Sequence, residues 1–334
     1  MSMHYRSPLE QMQFNVAKHP NKIWLHQPIN RVWHTYTWSE VDKQARKMAQ
    51  GLLSNGLEAG DNVAIMDKNS AEWFICDFAI MMAGLISVPI YPTAAADNIK
   101  YVLDHSAVKA IFVGKLNNTQ ALEAALPDTL LSIYFPYPTL PCKVQWLDWL
   151  NEYAPLQTLH RSKPDELFSL IYTSGSTGLA KGVMLSQKNV ASSSQAAMQL
   201  NNSKSGRFMS YLPLAHITER CLIELPSLYH PGDIFFVESL DTFIEDIRYA
   251  QPTSFISVPR LWTRFQSEIL AKVPNKKLQL LLKIPLIGQL VAKKIRVGLG
   301  LQSAEQFISG SAPIFPEALL WFNRIGISIG EAWG

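Results

Sequence analysis

The sequence predicts an α/β protein in which layered parallel sheets carry flanking helices. Short apolar runs alternate with amphipathic segments along the chain, two of those runs are joined by a loop rich in hydroxyls and glycine, and 48% of the 334 residues are hydrophobic, enough for a large core. Thr37 is placed to cap a helix, with Glu40 reaching back as a capping box. Val41, Ala45, Met48, Leu52 and Leu53 give that helix an apolar face, and Gly56 ends it. A strand at 63–66, a helix from about Ser70, a strand at 87–90, a helix from Asp97 and a strand at 110–113 follow. The apolar run from Phe78 to Ile90 is too short to span a bilayer and holds Ser87 and Pro89, so it reads as a helix end, a stop at Gly84 and a buried strand. The alternation returns with strands at 168–172, 183–185, 208–212, 234–237, 255–257, 307–309 and 327–329. Between the halves, the proline- and tryptophan-rich segment 139–162 is expected to bridge.

The loop between the strands at 168–172 and 183–185 is built to hold a polyphosphate. Gly175 and Gly178 let the backbone turn closely around an anion, Thr173, Ser174, Ser176 and Thr177 add hydroxyl donors, and Lys181 supplies a point charge. Taken alone, such a loop could equally be a plain turn or linker. A P-loop needs Gly-Lys followed by Ser or Thr, whereas Lys181 is preceded by Ala180 and followed by Gly182. A hydrolase elbow needs G-x-S-x-G, which neither this loop nor Ser309-Gly310-Ser311-Ala312 supplies.

Composition narrows the function classes. A net charge of +3 is small for this length and gives no ground for nucleic-acid binding. Cys76, Cys142 and Cys221 are widely spaced, odd in number and in no CxxC arrangement, which suggests reduced thiols in a cytoplasmic setting. The histidines show no zinc-ligand spacing, the amino terminus has no apolar core of a secretory signal, and neither repeats nor low-complexity tracts occur. Residues 271–300 stand apart: Lys272, Lys276, Lys277, Lys283, Lys293, Lys294 and Arg296 alternate with aliphatic residues around Pro285. This is either a solvated helix face or a peripheral contact with an anionic membrane.

The loop resembles the phosphate-binding signature of the adenylate-forming superfamily. Further segments resemble its long-chain fatty acyl-CoA synthetases: Tyr211-Leu-Pro-Leu-Ala-His216-Ile-Thr-Glu219-Arg220, Val258-Pro259-Arg260-Leu-Trp262, Tyr36-Thr-Trp-Ser-Glu40, the run Gly84 to Thr93, and Ser309-Gly310-Ser311-Ala312-Pro313. The resemblance implies activation of a long-chain fatty acid by ATP, with Mg²⁺, through an acyl-adenylate, followed by transfer to coenzyme A. Carrier-protein loading and a non-catalytic nucleotide- or fatty-acid-binding module are the alternatives. It also implies that residues 173–178 and Lys181 grip the β- and γ-phosphates, that His216 lies near the carboxylate and α-phosphate, and that Ser309 to Pro313, with Gly310, Ser311, Ala312 and Pro313 as the nucleotide-binding residues, pass between the adenine and the acyl pocket. Trp333 stands where an aromatic residue stacks on adenine. Taken singly, His216, Trp333 and Trp262 could be core residues, the preferred reading for Trp262, and Glu219 with Arg220 could form a local ion pair or order the loop. Ala180 replaces a proline that commonly precedes the lysine.

The chain stops at Gly334, inside the family's next motif, whose following Thr and Glu hold phosphate and Mg²⁺. The ribose-binding Asp, the hinge and the C-terminal domain with its lysine would lie beyond. The expectation is therefore an incomplete N-terminal adenylation domain over 1–334, with lobes of about 1–164 and 165–334, inactive by itself.

Overall fold

A computed structural model of the chain describes residues 6–137, 144–173, 180–200, 206–230 and 232–332. They form two compact units: Met1–Gln27, Trp33–Leu200 and Tyr211–Pro231 make the first, and Pro28–Val32, Asn201–Ser210 and Gly232–Gly334 the second. Strands are numbered along the chain: β1 Ile23–Ile29, β2 Val32–Thr37, β3 Asn62–Met66, β4 Ile86–Ile90, β5 Val108–Val113, β6 Leu131–Tyr134, β7 Val144–Gln145, β8 Leu167–Thr173, β9 Lys181–Ser186, β10 Arg207–Ser210, β11 Asp233–Phe236, β12 Ser254–Ser257, β13 Gln306–Ser309 and β14 Ile329–Glu331.

The first unit is built on a seven-stranded sheet of order β7-β6-β5-β3-β4-β8-β9. Pairs from β7 through β8 are parallel, as the alternation with helices demands, since a parallel return needs a crossover. The pair β8–β9 is antiparallel, the exception in an otherwise parallel sheet. Its connection is seven residues long, too short for a crossover, so the chain can only fold back as a hairpin at the sheet edge. Helix Trp38–Ser54 begins at the Thr37–Glu40 capping box. Helix Ala71–Met82, capped by Ser70, is buried at every residue, including Glu72 and Asp77. Helices Ala96–His105 and Gln120–Ala125 cover a core of Ala64, Met66, Val88, Ile90, Ile111 and Val113.

Two features of this unit were not anticipated. Helix Pro8–Lys18 starts at a Ser7–Glu10 capping box, and Trp24 of β1 stacks on Trp38 with centroids 3.9 Å apart. The segment expected to bridge is, over 144–152, a short strand and a helix with Trp146 and Trp149 almost fully buried. Trp146 meets Phe135 edge-on at 5.2 Å. Trp149 lies against Gly51, where a Cβ would stand 2.5 Å from its ring. Those tryptophans are core, because large rings gain most by burial.

In the second unit β10 and β11 pair in parallel, and β12-β13-β14 form a parallel sheet. Trp262, fully buried, packs among Phe255 (5.3 Å), Phe307 (6.3 Å) and Phe322 (5.2 Å), so it is a core aromatic. β14 begins two residues later than expected. Gly326, at φ +76°, closes helix Pro316–Asn323, and the Ile327 N–H returns to the Phe322 carbonyl at 3.1 Å, which holds Ile327 in the turn. Among the described residues no helix is long and apolar enough to cross a membrane.

The contact between Gly51 and Trp149 sets two effects against each other. Gly51→Ala should gain up to about 1 kcal/mol in helix propensity and lose about 1–3 kcal/mol by overpacking against a buried ring. Urea unfolding should show net destabilisation in the parent and net stabilisation in a Trp149→Leu background; the same sign in both would refute the packing account.

Candidate active site

The β8–β9 hairpin fixes the two ends of the expected phosphate loop. Thr173 pairs with Lys181 and Tyr172 with Gly182, so the Thr173 hydroxyl and the Lys181 ammonium leave the same face of the hairpin mouth, both exposed. Ser174, Gly175, Ser176, Thr177 and Gly178 lie outside the described residues. The base of the mouth is held by aromatic contacts. Tyr172 is hydrogen-bonded through its hydroxyl to His105 Nδ1 at 2.7 Å, and Tyr101 donates its hydroxyl to the Ala180 carbonyl at 3.0 Å. Gly182 leaves room for the Tyr172 ring, which a Cβ there would approach to 3.3 Å.

His216 is the cap of the short helix Ile217–Glu219. Its Nδ1 accepts the Thr218 N–H at 3.1 Å, which assigns the proton of the neutral ring to Nε2 and leaves that N–H as a donor. Partial burial lowers its pKa, so the ring stays neutral at pH 7. Glu219 and Arg220 go to separate partners rather than forming the local pair expected as one alternative. Glu219 accepts the Tyr211 N–H at 3.0 Å and the Asn69 side-chain amide at 3.2 Å, which orders the segment ahead of His216. Arg220 opens a π-helical turn, Arg220–Glu224, and reaches Ser169 Oγ of β8 at 2.8 Å. The segment carrying His216 is thereby tied to the strand that leads into the glycine-rich loop.

In the second unit, Ser309 ends the central strand β13. The Gly310 N–H donates to the Ser257 carbonyl at 3.0 Å, and the Ser309 carbonyl accepts from Ala332 at 2.8 Å, so the strand end is clamped from both sides. Ser309 is buried, and its hydroxyl has no hydrogen-bond partner among the described residues. The backbone then turns sharply: Ser311 has φ +66°, and Ser311, Ala312 and Pro313 are exposed. Trp333 lies outside the described residues.

A family described as AMP-binding enzyme matches residues 12–334. The chain belongs to the AMP-binding enzyme family. Among curated proteins, the long-chain-fatty-acid–CoA ligase ACSBG2 of Xenopus laevis is 28% identical over 96% of this chain and 50% of its own length. The peroxisomal long chain acyl-CoA synthetase 6 of Arabidopsis thaliana is 30% identical over 90% of this chain and 47% of its own length. The chain thus spans about half the length of these relatives. The adenylation domain of a carboxylate reductase from Mycobacterium chelonae superposes with a TM-score of 0.83 at 20% identity, over all of this chain and 58% of that one. The anthranilate CoA ligase AuaEII, solved with anthranoyl-AMP, superposes with a TM-score of 0.79 at 19% identity, over 99% of this chain and 60% of that one. Both show the same fold.

Two buried polar clusters of this AMP-binding chain were missed in the sequence. In the first, Arg220 donates to Asp77 at 2.5 Å and to Glu224 at 3.2 Å, with all three side chains fully buried. In the second, Asp67 accepts the Lys115 N–H at 2.5 Å and the Ser70 hydroxyl, while Glu72 accepts from Tyr137 at 2.8 Å and Tyr36 at 3.3 Å. Burial pushes the Asp67 carboxyl up to about 7 against the pull of Lys115, and it also raises Glu72. The available signal was a pair of carboxylates, Glu72 and Asp77, inside an otherwise apolar helical run.

Burial, and then the charge of Asp77, push Glu224 well above its ordinary pKa, and burial also raises Asp77 against the pull of Arg220, so of the two carboxyls Glu224 takes up a proton more readily and Asp77 is the closer counter-charge to Arg220. Arg220→Met should cost about 3–5 kcal/mol by stranding Asp77. Glu224→Gln, which mimics the protonated acid, should cost about 1 kcal/mol or less. Denaturant midpoints check both, and equal losses would refute the assignment. Asp67 gives a pH signature of definite sign. Its folded pKa lies above the unfolded value, so its contribution is complete below about pH 4 and is lost as pH rises through about 7. Asp67→Asn should flatten the stability–pH profile in that window, read by thermal unfolding across it.

Proposed function

We propose that this domain activates long-chain fatty acids with ATP through an acyl-adenylate, and that coenzyme A then accepts the acyl group. In the first step a carboxylate oxygen attacks the α-phosphorus, the bond to the β-phosphate oxygen breaks, and pyrophosphate leaves. In the second a thiol attacks the acyl carbon and AMP leaves. The work of the protein is to align two anions and to neutralise the charge that builds between them.

The observation that carries this reading is the hairpin that sets Lys181 and Thr173 side by side at the mouth of the glycine-rich loop. A charge-assisted contact from Lys181 to the β- and γ-phosphates fits that placement. His216 enters as a neutral donor: with Nδ1 engaged by Thr218, Nε2–H is available to an oxygen of the carboxylate or α-phosphate. Ser309, clamped in place with an unpartnered hydroxyl, and the Gly310–Pro313 turn fit a role beside the adenine. Mg²⁺ would share the charge of the polyphosphate, but among the described residues no group of three His, Cys, Asp or Glu side chains could hold a metal, so no step is assigned to it. Substrate class rests on relatives named as long-chain-fatty-acid–CoA ligases, and their names also favour coenzyme A over a carrier protein.

In the enzyme that carries this domain, Lys181→Ala should weaken use of limiting ATP by about 1.5–3 kcal/mol, measured as ATP–pyrophosphate exchange; unchanged exchange would sink the phosphate assignment. Chain length should favour binding by about 0.8 kcal/mol per methylene until the pocket is full, so palmitate should surpass acetate by orders of magnitude in acid-dependent pyrophosphate release. A preference for acetate or an amino acid would overturn the substrate class. His216→Asn separates cap from chemistry, because asparagine caps helices well: stability should hold within about 0.5 kcal/mol while adenylation falls by at least tenfold.

A further inference from the structure

Residues 275–299 fold into a helical hairpin that follows helix Pro259–Lys272, and the stretch 271–300 has a charge pattern of one sign. Helix Asn275–Lys283 and helix Ile287–Leu299 are joined by the turn Ile284-Pro285-Leu286. Between 271 and 300 there are seven Lys or Arg residues and no Asp or Glu. Arg296 is engaged with the carbonyls of Ile325 and Gly326, whereas the six lysines are exposed.

The outer faces of both helices carry apolar side chains that the fold does not use. Leu280 is 66% exposed, Ile284 44%, Leu286 73%, Ile287 44%, Leu290 67% and Val297 45%. Helical spacing arranges those on the helices as two stripes, Lys276 and Lys277, Leu280, then Lys283 on the first, and Ile287, Leu290, then Lys293, Lys294 and Val297 on the second, with Ile284 and Leu286 in the turn between them. The opposite faces already supply the packing. Leu278 is buried and Leu281 and Val291 half-buried around a half-open apolar cavity of 630 Å³ whose rim includes Lys272 and Lys294, and Gly288 brings the second helix against the Leu282 backbone. Leu286 sits at φ +64°, a strained conformation for a non-glycine residue, at the most exposed apolar position of the hairpin.

We infer that this hairpin is a docking surface for an anionic lipid bilayer: its apolar tip enters the interface and its lysines pair with acidic headgroups. The cations alone would serve any polyanion; the apolar residues set among them select a lipid surface, because they gain only where there is hydrocarbon to meet. The helices span nine and thirteen residues, too short to cross a bilayer, so the contact is interfacial. The inference does not depend on the proposed reaction.

The test is co-sedimentation of the protein with phosphatidylcholine vesicles, with and without phosphatidylglycerol. Binding should require the anionic lipid and weaken with salt. A lysine near an acidic surface contributes about 1 kcal/mol, roughly fivefold, so Lys283→Gln/Lys293→Gln/Lys294→Gln should lower the partition coefficient on the order of 100-fold. The corresponding triple Lys→Arg variant should retain binding. Leu286→Ser/Leu290→Ser should lower it by at least about tenfold with circular dichroism unchanged. A Leu286→Trp reporter should shift its fluorescence to the blue with acidic vesicles only. Absence of binding, equal binding to neutral vesicles, or self-association lost in Leu286→Ser without vesicle binding would each overturn the inference, the last in favour of a second copy of the chain as the occupant.

Discussion

The buried guanidinium of Arg220 is the constraint on which the first unit depends. A fully desolvated cation is tolerated only with a compensating charge and bonds to its donors. Asp77 supplies the charge. Glu224, Ser169 and Ser87 take further N–H groups, at 3.2, 2.8 and 3.3 Å. Phe168 and Trp73 offer ring faces at 4.4 and 5.2 Å. These partners come from a helix, two adjacent strands and the π-helical turn, so one side chain fixes four elements in a single register. Ser87 and Ser169 are cross-strand neighbours, which aims both hydroxyls at one point.

That junction has a direct bearing on the candidate site. Ser169 lies four residues before Thr173, and His216 four residues before Arg220, so the strand entering the glycine-rich loop and the segment presenting the histidine are anchored to the same cation. A hydrophobic substitute could fill the volume, but it would not hold Ser169, Asp77 and Glu224 at fixed bond lengths. The cost of desolvation thus secures geometry more than stability, which suits a site whose chemistry depends on alignment.

The second unit follows a different economy. Its core is aromatic, with Trp262, Phe255, Phe265 and Phe322 in edge and stacked contacts. The lysine-rich hairpin is placed outside that core, with its second set of aliphatic residues left in water. A helix normally buries its apolar stripe against its own domain. Here both helices bury one stripe and expose another, and the exposed one carries the unbalanced charge.

The sequence by itself determined the local elements. Capping boxes such as Thr37–Glu40, stop glycines such as Gly84, and the period of apolar residues depend on neighbours only a few positions apart, and they are where the reading placed them. Hydroxyls and Lys181 around two glycines offer partners to an anion, but the same residues alone read equally as a plain turn. Tertiary structure alone decided which of these meet. That the Lys181 strand returns antiparallel, that Trp146 and Trp149 are core instead of linker, and that Arg220 ignores Glu219 beside it for Asp77, 143 residues away, all follow from long-range burial. The physical reason is desolvation: a charge or a ring finds its partner according to which surfaces are removed from water together, and no local pattern encodes that.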